Sequence, residues 1–214
     1  MKDGFANRDG EIVIHAMIQA IQENAAILSE ADGAIGDGDH GINMKKGFTL
    51  CAQRLAESPG GFSDGLKTLG RVLMSEIGGA MGPLYGTFFL EMSREAAGKE
   101  TIDARVFLRM LERATEGVIS LGNAKVGDKS MVDALVPALE EFRKAQEAGE
   151  TFPQALAAMA GGAERGKEST RGLVAWIGRA SRLGERSKGT LDPGATSCAL
   201  LLSAVARAAT MLLQ

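Results

Sequence analysis

Cysteine is nearly absent from this chain: its 214 residues include only Cys51 and Cys198. Each sits in an apolar helical pattern, so a disulfide framework or a thiolate metal site is excluded in favour of reduced core residues. Two histidines are too few for a zinc centre. Aromatic residues make up 5% of the chain, and no run alternates Val, Ile, Thr and aromatics with polar residues, which argues against strand-rich folds. Charge of one sign is also scarce. The formal net charge is −3, with acids and bases interspersed, so no basic stripe is offered to nucleic acid. The N-terminal residues lack the apolar stretch of a signal peptide, and no window approaches the roughly 20 uninterrupted apolar residues of a membrane span. The expectation is a cytoplasmic protein that touches neither nucleic acid nor membrane.

What is present is helix. Hydrophobic residues form 45% of the chain and recur at spacings of three and four. This predicts an all-α fold of about eight amphipathic helices, antiparallel to their neighbours in a bundle or barrel, within a single domain over residues 1–214. The helices are predicted at about 9 to 30, 40 to 57, 63 to 77, 80 to 96, 103 to 121, 129 to 147, 152 to 168 and 196 to 213. Breakers such as Ser58-Pro59-Gly60-Gly61, Ala97-Gly98 and Ala148-Gly149 mark plain joints. Four other connections, 31–39, 78–82, 122–129 and 178–194, combine Gly with Asp, Asn or Arg. Their convergence at one end of an up-and-down bundle would make a site.

The first of these carries the sharpest signal. Asp32, Asp37 and Asp39 lie among glycines just before a helix. Carboxylates are the preferred ligands of Mg²⁺, and glycine lets the backbone fold tightly enough to bring side chains together. If 36–39 is extended, Asp37 and Asp39 face the same side. Three clustered carboxylates oppose each other's ionisation, and a cation resolves that conflict. The free N–H groups of the helix starting at His40 suit a phosphate. The plain alternative is an Asp-Gly turn in which Asp37 or Asp39 only caps the helix. An EF-hand fails, because the twelfth residue counted from Asp37 is Phe48 where a bidentate Glu is needed.

The remaining glycine-rich stretches are weaker. Gly161-Gly162-Ala163-Glu164-Arg165-Gly166-Lys167 approaches a Walker A loop, but Glu168 replaces the required Ser or Thr and no strand precedes it, so it is a decoy. Gly78-Gly79-Ala80-Met81-Gly82 permits close backbone approach to phosphate, with Gly79, Ala80 and Met81 as candidates, or serves close helix packing. The stretch from Gly122 to Met131 reads as a flexible joint ending in an N-cap, whose Met131 suits covering a flat base or the core. Arg179, between Gly178 and Ala180, suits a phosphate or the surface. Asp192-Pro193-Gly194 precedes the last helix. His15 lies on a helix face and is set aside.

Taken in order, these segments resemble the L subunit, or L domain, of dihydroxyacetone kinases over nearly the whole chain. The most specific parts are Gly36-Asp37-Gly38-Asp39-His40-Gly41 and Gly127-Asp128-Lys129-Ser130-Met131-Val132-Asp133-Ala134-Leu135; Gly178-Arg179-Ala180 and Asp192-Pro193-Gly194-Ala195 agree. The resemblance implies a barrel of eight antiparallel helices with ADP or ATP at one end, its phosphates held through two Mg²⁺ ions on Asp32, Asp37 and Asp39. It further implies nucleotide contacts at His40, Gly41 and Asn43, at Ala80 with Met81, and at Gly122, Met131, Arg179 and Asp192 to Gly194. The small hydroxyketone would sit on a separate substrate-binding K subunit. Bound ADP would be a coenzyme rephosphorylated by a phosphotransferase-system protein, the alternatives being exchangeable ATP with another ketose, or a nucleotide sensor without turnover. Transfer would be in line, with Mg²⁺, Arg179 and helix N-termini stabilising the developing charge. The chain departs from the family pattern at Met81, Arg182 and Thr190, where Ser, Tyr and His are usual.

Overall fold

The computed structural model describes residues 2–214. Among these, eight α-helices alternate with short joints: α1 Glu11–Gly33, α2 His40–Glu57, α3 Phe62–Glu76, α4 Met81–Ala96, α5 Ala104–Gly122, α6 Val132–Glu147, α7 Phe152–Ser169 and α8 Pro193–Leu212. The helix starts are locally encoded. Asp103 accepts from the Val106 N–H at 2.7 Å to cap α5, Thr151 and Gln154 form a capping box on α7, and Asp192 caps α8 with Pro193 in its first turn. Such caps satisfy N–H groups that the helix itself leaves orphaned.

Each helix packs on its sequence neighbours, and α8 returns to α1, so the eight form a closed ring. Neighbours run antiparallel. A Cβ on Gly70 of α3 would meet Leu90 of α4, whereas Ile77, just past the end of α3, faces Gly82, earlier in α4. On the α6–α7 seam, Gly162 lies against Pro137 and Gly166 against Asp133. A Cβ at Gly166 would fall 2.1 Å from the Asp133 carbonyl oxygen. Gly162 and Gly166 of the Walker-like run therefore belong to a helix seam, as expected of a decoy. α8 is long and apolar enough by length and composition to cross a membrane, but it packs between α1 and α7 with most of its face buried.

The two ends of the ring differ. Phe5, Phe62, Phe107, Phe142 and Phe152 are buried together, with Phe5–Phe62 and Phe107–Phe142 centroids 5.4 Å apart. Phe62, Phe107 and Phe152 lie in the first turns of α3, α5 and α7, so this aromatic plug closes one end, each ring contributing about 1.5–3 kcal/mol by burial. The other end receives every connection that leaves an odd-numbered helix: 34–39, 77–80, 123–131 and 170–192. These are the four polar, glycine-rich joints.

Several elements depart from the sequence expectation. A two-stranded antiparallel ribbon, β1 Gly4–Ala6 with β2 Thr101–Asp103, sets Phe5 opposite Ile102. Strands of three residues are too short to show a period of two. α1 runs on through Asp32, so that aspartate belongs to a helix end rather than a loop. α6 starts at Val132 instead of 129, because Lys129 adopts a left-handed φ of 63°. The stretch Arg179–Ser187 is wound into 3-10 turns kinked at Gly184.

Candidate functional site at the glycine-rich end

The three aspartates converge. Asp32, Asp37 and Asp39 each present a carboxylate oxygen within 4.8 Å of the others. The route is not the extended strand anticipated: Gly38 takes φ 78° and Asp39 is already helical at φ −88°, ψ −11°. Glycine alone adopts the left-handed turn without cost, and it folds Asp37 and Asp39 back toward Asp32. Gly36 is equally constrained, since a Cβ there would lie 2.4 Å from the Asp32 Oδ1. Neither Asp37 nor Asp39 spends its carboxylate on capping. Asp39 occupies the N-cap of α2 without a side-chain bond, and the His40 N–H donates to Asp32 Oδ2 at 3.2 Å. The capping explanation of the cluster is thereby set aside.

Arg179 reaches this cluster from the α7–α8 connection. Its guanidinium pairs with Asp37 and lies 3.9 Å from Asp39. His40, the first residue of α2, holds Ser197 Oγ of α8 through Nε2 at 2.9 Å, and Ser197 in turn meets the Tyr85 hydroxyl of α4 at 2.7 Å. Burial pushes the His40 imidazole down to about 4, against the opposing pull of Asp32, so the ring is neutral at physiological pH. Burial likewise holds the Tyr85 hydroxyl well above its usual range, keeping it a donor.

Other predicted residues take clear positions. Gly41 is buried against α1, where a Cβ would meet the Ala25 carbonyl at 1.9 Å, and Asn43 is half-buried one turn on. Gly79, at φ 74°, and Ala80 are exposed, with Met81 half-buried at the head of α4. Gly122 ends α5 against Leu84. Met131 is 5% exposed, and the backbone at Gly194 comes so close that a Cβ there would be 3.2 Å from the Met131 nitrogen. Asp192 is buried and commits its carboxylate to the Ala195 N–H at 2.7 Å. Burial raises it to about 7, opposed by the Ala195 N–H and by Lys129. The expected joint around 122–131 is in fact rigidly tied: Asp133 accepts from the Gly127 and Ser130 N–H groups at 2.6 and 2.7 Å. Its N-cap is Met131, without a side-chain bond.

A helical ring with three converging carboxylates at its open end is a recognisable combination, and the DAK2 domain matches residues 34–207. The chain belongs to the DAK2 domain family. It is 42% identical over 188 residues to the PEP-dependent dihydroxyacetone kinase 1 ADP-binding subunit DhaL of Listeria innocua, covering 87% of this chain and 89% of that one. The corresponding Escherichia coli (strain K12) subunit is 41% identical over 185 residues, with 85% and 87% covered. The D-erythrulose kinase of Mycolicibacterium smegmatis is 34% identical over 92% of this chain, which spans 34% of that protein. Among solved structures, the dihydroxyacetone kinase of C. freundii in its native form superposes with a TM-score of 0.70 at 23% identity, covering 97% of this chain and 36% of that one. Its complex with AMP-PNP and Mg²⁺ gives 0.66 at 24% identity, with 91% and 33% covered. These two establish the shared fold.

In this DAK2 chain four site residues escaped the sequence reading as individuals: Tyr85, Ser197, Asp133 and Lys129. Thr196 and Ser197 break the Ala and Leu pattern of α8, a legible sign of polar work inside a core helix. Asp133 and Lys129 lie in a quoted motif, but no hydropathy signal distinguishes a buried lysine from a surface one.

Proposed function

We propose that this chain is the nucleotide-carrying, phosphoryl-transferring subunit of a kinase for dihydroxyacetone or a related small keto sugar, with Mg-ADP as its bound coenzyme. The observation that carries the reading is the meeting of Asp32, Asp37 and Asp39 within 4.8 Å beside a helix N-terminus and Arg179. The donor set fits the metal: oxygen-only, anionic and on a tightly turned backbone, with Asp37 and Asp39 free of capping duties and Asp32 holding only the His40 N–H. Two Mg²⁺ ions on these carboxylates would neutralise charge on the β- and γ-phosphates.

The protein's own groups position and do not attack. His40, Gly41 and Asn43 present the first turn of α2, whose N–H groups and positive dipole end favour phosphate. Gly79, Ala80 and Met81 offer backbone at close range, and Arg179 supplies a planar donor for developing negative charge. Gly122, Met131 and the Asp192-Pro193-Gly194 turn form the wall for the base, with the Asp192 side chain acting inside the wall as a cap. Residues 1–214 act as one domain.

The names of the 41–42% identical relatives, which are ADP-binding subunits of PEP-dependent kinases, support a phosphotransferase-system protein as phosphoryl donor and a separate K subunit holding the hydroxyketone. They also support a cytoplasmic setting. Likeness to a D-erythrulose kinase favours, as a second reading, another ketose with exchangeable ATP. The test is to denature the purified protein and quantify released nucleotide by chromatography. Near-stoichiometric ADP is the expected result. Finding none, with no Mg-dependent uptake of added ADP or ATP, overturns the nucleotide reading, whereas uptake of ATP alone favours the exchanging kinase.

A further inference from the structure

Lys129 is 2% exposed in a polar, glycine-rich connection and takes a left-handed φ of 63°, a conformation that disfavours residues with a Cβ. Among the described residues no carboxylate forms an ion pair with it, Asp192 and Asp133 acting on it only at longer range. Its ammonium instead donates to the carbonyl oxygens of Ser187 at 2.6 Å, Thr190 at 2.7 Å, Thr170 at 2.9 Å and, more weakly, Leu173 at 3.4 Å. Those carbonyls belong to the two stems of one loop, 170–173 leaving α7 and 187–190 returning toward α8. The loop between them carries Arg179 to Asp37. A second rung ties the same stems, because Ser187 Oγ accepts from the Ala175 N–H at 2.9 Å. Next to Lys129, the Asp128 carbonyl accepts from the Trp176 N–H at 3.1 Å.

Backbone carbonyls only accept, so stems whose oxygens point at one another repel unless a multivalent donor stands between them. A buried ammonium, with three protons on a long stem, is suited to that position. The left-handed backbone at Lys129 is what turns it inward from the α5–α6 connection, and strained backbone of this kind persists where surrounding structure demands it.

We infer that Lys129 is a positioning residue, a cationic staple that joins the two stems of the Arg179 loop and so sets the guanidinium against the aspartate cluster without itself touching ligand. The inference rests on the Mg-ADP reading above for its functional consequence, but the staple has its own readout. Trp176 is the chain's single tryptophan and lies within the loop, so its fluorescence anisotropy reports loop mobility with no nucleotide present.

The experiment compares the full-length protein with Lys129→Met, Arg179→Ala and the double variant, at a temperature where circular dichroism reports all of them folded. Trp176 anisotropy is expected to fall in Lys129→Met. Binding of Mg-ADP by calorimetry is expected to weaken about 10-fold or more in Lys129→Met alone, but less than about 3-fold when the same change is made on the Arg179→Ala background, since residues acting through one another are non-additive. A general loss of stability would weaken binding equally on both backgrounds. Unchanged anisotropy, or equal fold-changes on the two backgrounds, overturns the proposal. If wild type binds no Mg-ADP, the nucleotide reading fails and the anisotropy alone decides the staple. Should Lys129→Met not fold, Ser187→Ala removes the second rung of the same stems and enters the same cycle with the same expected pattern.

Discussion

Arg179, between α7 and α8, lays its guanidinium on the carboxylate of Asp37, between α1 and α2, and so joins the first and last connections of the glycine-rich end. Both side chains are about half exposed, at 56% and 49%. An exposed pair of this kind contributes at most about 1 kcal/mol to stability. Its value lies in the charge it brings to the cluster. Arg179→Ala is therefore expected to leave urea unfolding within about 1 kcal/mol of wild type while weakening Mg-ADP binding. Asp37→Asn is expected to weaken it by at least about 10-fold and to remove the dependence of nucleotide affinity on magnesium. Calorimetric titration of ADP with and without Mg²⁺ measures both. Wild-type affinity in Asp37→Asn would sink the metal assignment.

The hydrogen-bonded chain from His40 through Ser197 to Tyr85 predicts an order of costs. Tyr85→Phe leaves Ser197 its bonds to His40 and to the Gly194 carbonyl, so about 1 kcal/mol is expected, the net worth of one hydrogen bond. Ser197→Ala strands the buried His40 Nε2 and leaves the Tyr85 hydroxyl only the Gly194 carbonyl at 3.3 Å. About 1–3 kcal/mol follows from that unmade bond. Chemical denaturation of the two variants checks the order, and a costlier Tyr85→Phe would refute the arrangement.

The Walker-like run in α7 makes a prediction of opposite signs. Gly166 abuts the Asp133 carbonyl, so an alanine there forces α6 and α7 apart, at roughly 1–3 kcal/mol or more. At Gly161 a Cβ would meet only the mobile end of Arg165, at 3.2 Å, and an alanine in a helix interior gains roughly 0.5–1 kcal/mol. Melting curves of Gly166→Ala and Gly161→Ala should thus move in opposite directions. Folded Gly161→Ala should bind Mg-ADP as wild type does. A loss of binding there would revive the phosphate-loop reading.

The ring was legible because its helices are long, amphipathic and separated by clear breakers, and periodicity reports such elements well. The aspartate cluster was legible because carboxylates and glycines so dense have few structural uses. What escaped depends on contacts remote in sequence. Lys129 becomes a staple only when the α7–α8 connection brings its carbonyls to it, and Ser197 becomes a bridge only when α2 and α4 flank it. The strand pair escaped for another reason, since Phe5 facing Ile102 is a pairing of three-residue segments whose partner lies across the whole first half of the chain. Gly38 was noted for tightness, but the turn it makes, rather than an extended strand, is what gathers the acids.

Asp192 gives the pH prediction. Burial raises its carboxyl from 3.8 to about 7 in the folded chain, so between those values the native state holds a proton that the unfolded chain has released. Stability from this group is therefore fully present below about pH 4 and lost as pH rises through about 7, up to about 4 kcal/mol in all at 1.36 kcal/mol per unit. Asp192→Asn keeps an oxygen acceptor for the Ala195 N–H and removes the titration. Urea unfolding at pH 5, 6.5 and 8 should accordingly show the variant gaining on wild type as pH increases. The other carboxylates titrate alike in both proteins and cancel in the difference. A difference independent of pH would mean that Asp192 is ionised throughout, held so by Lys129 and the N-terminus of α8, and the wall beside Met131 would then carry a fixed negative charge.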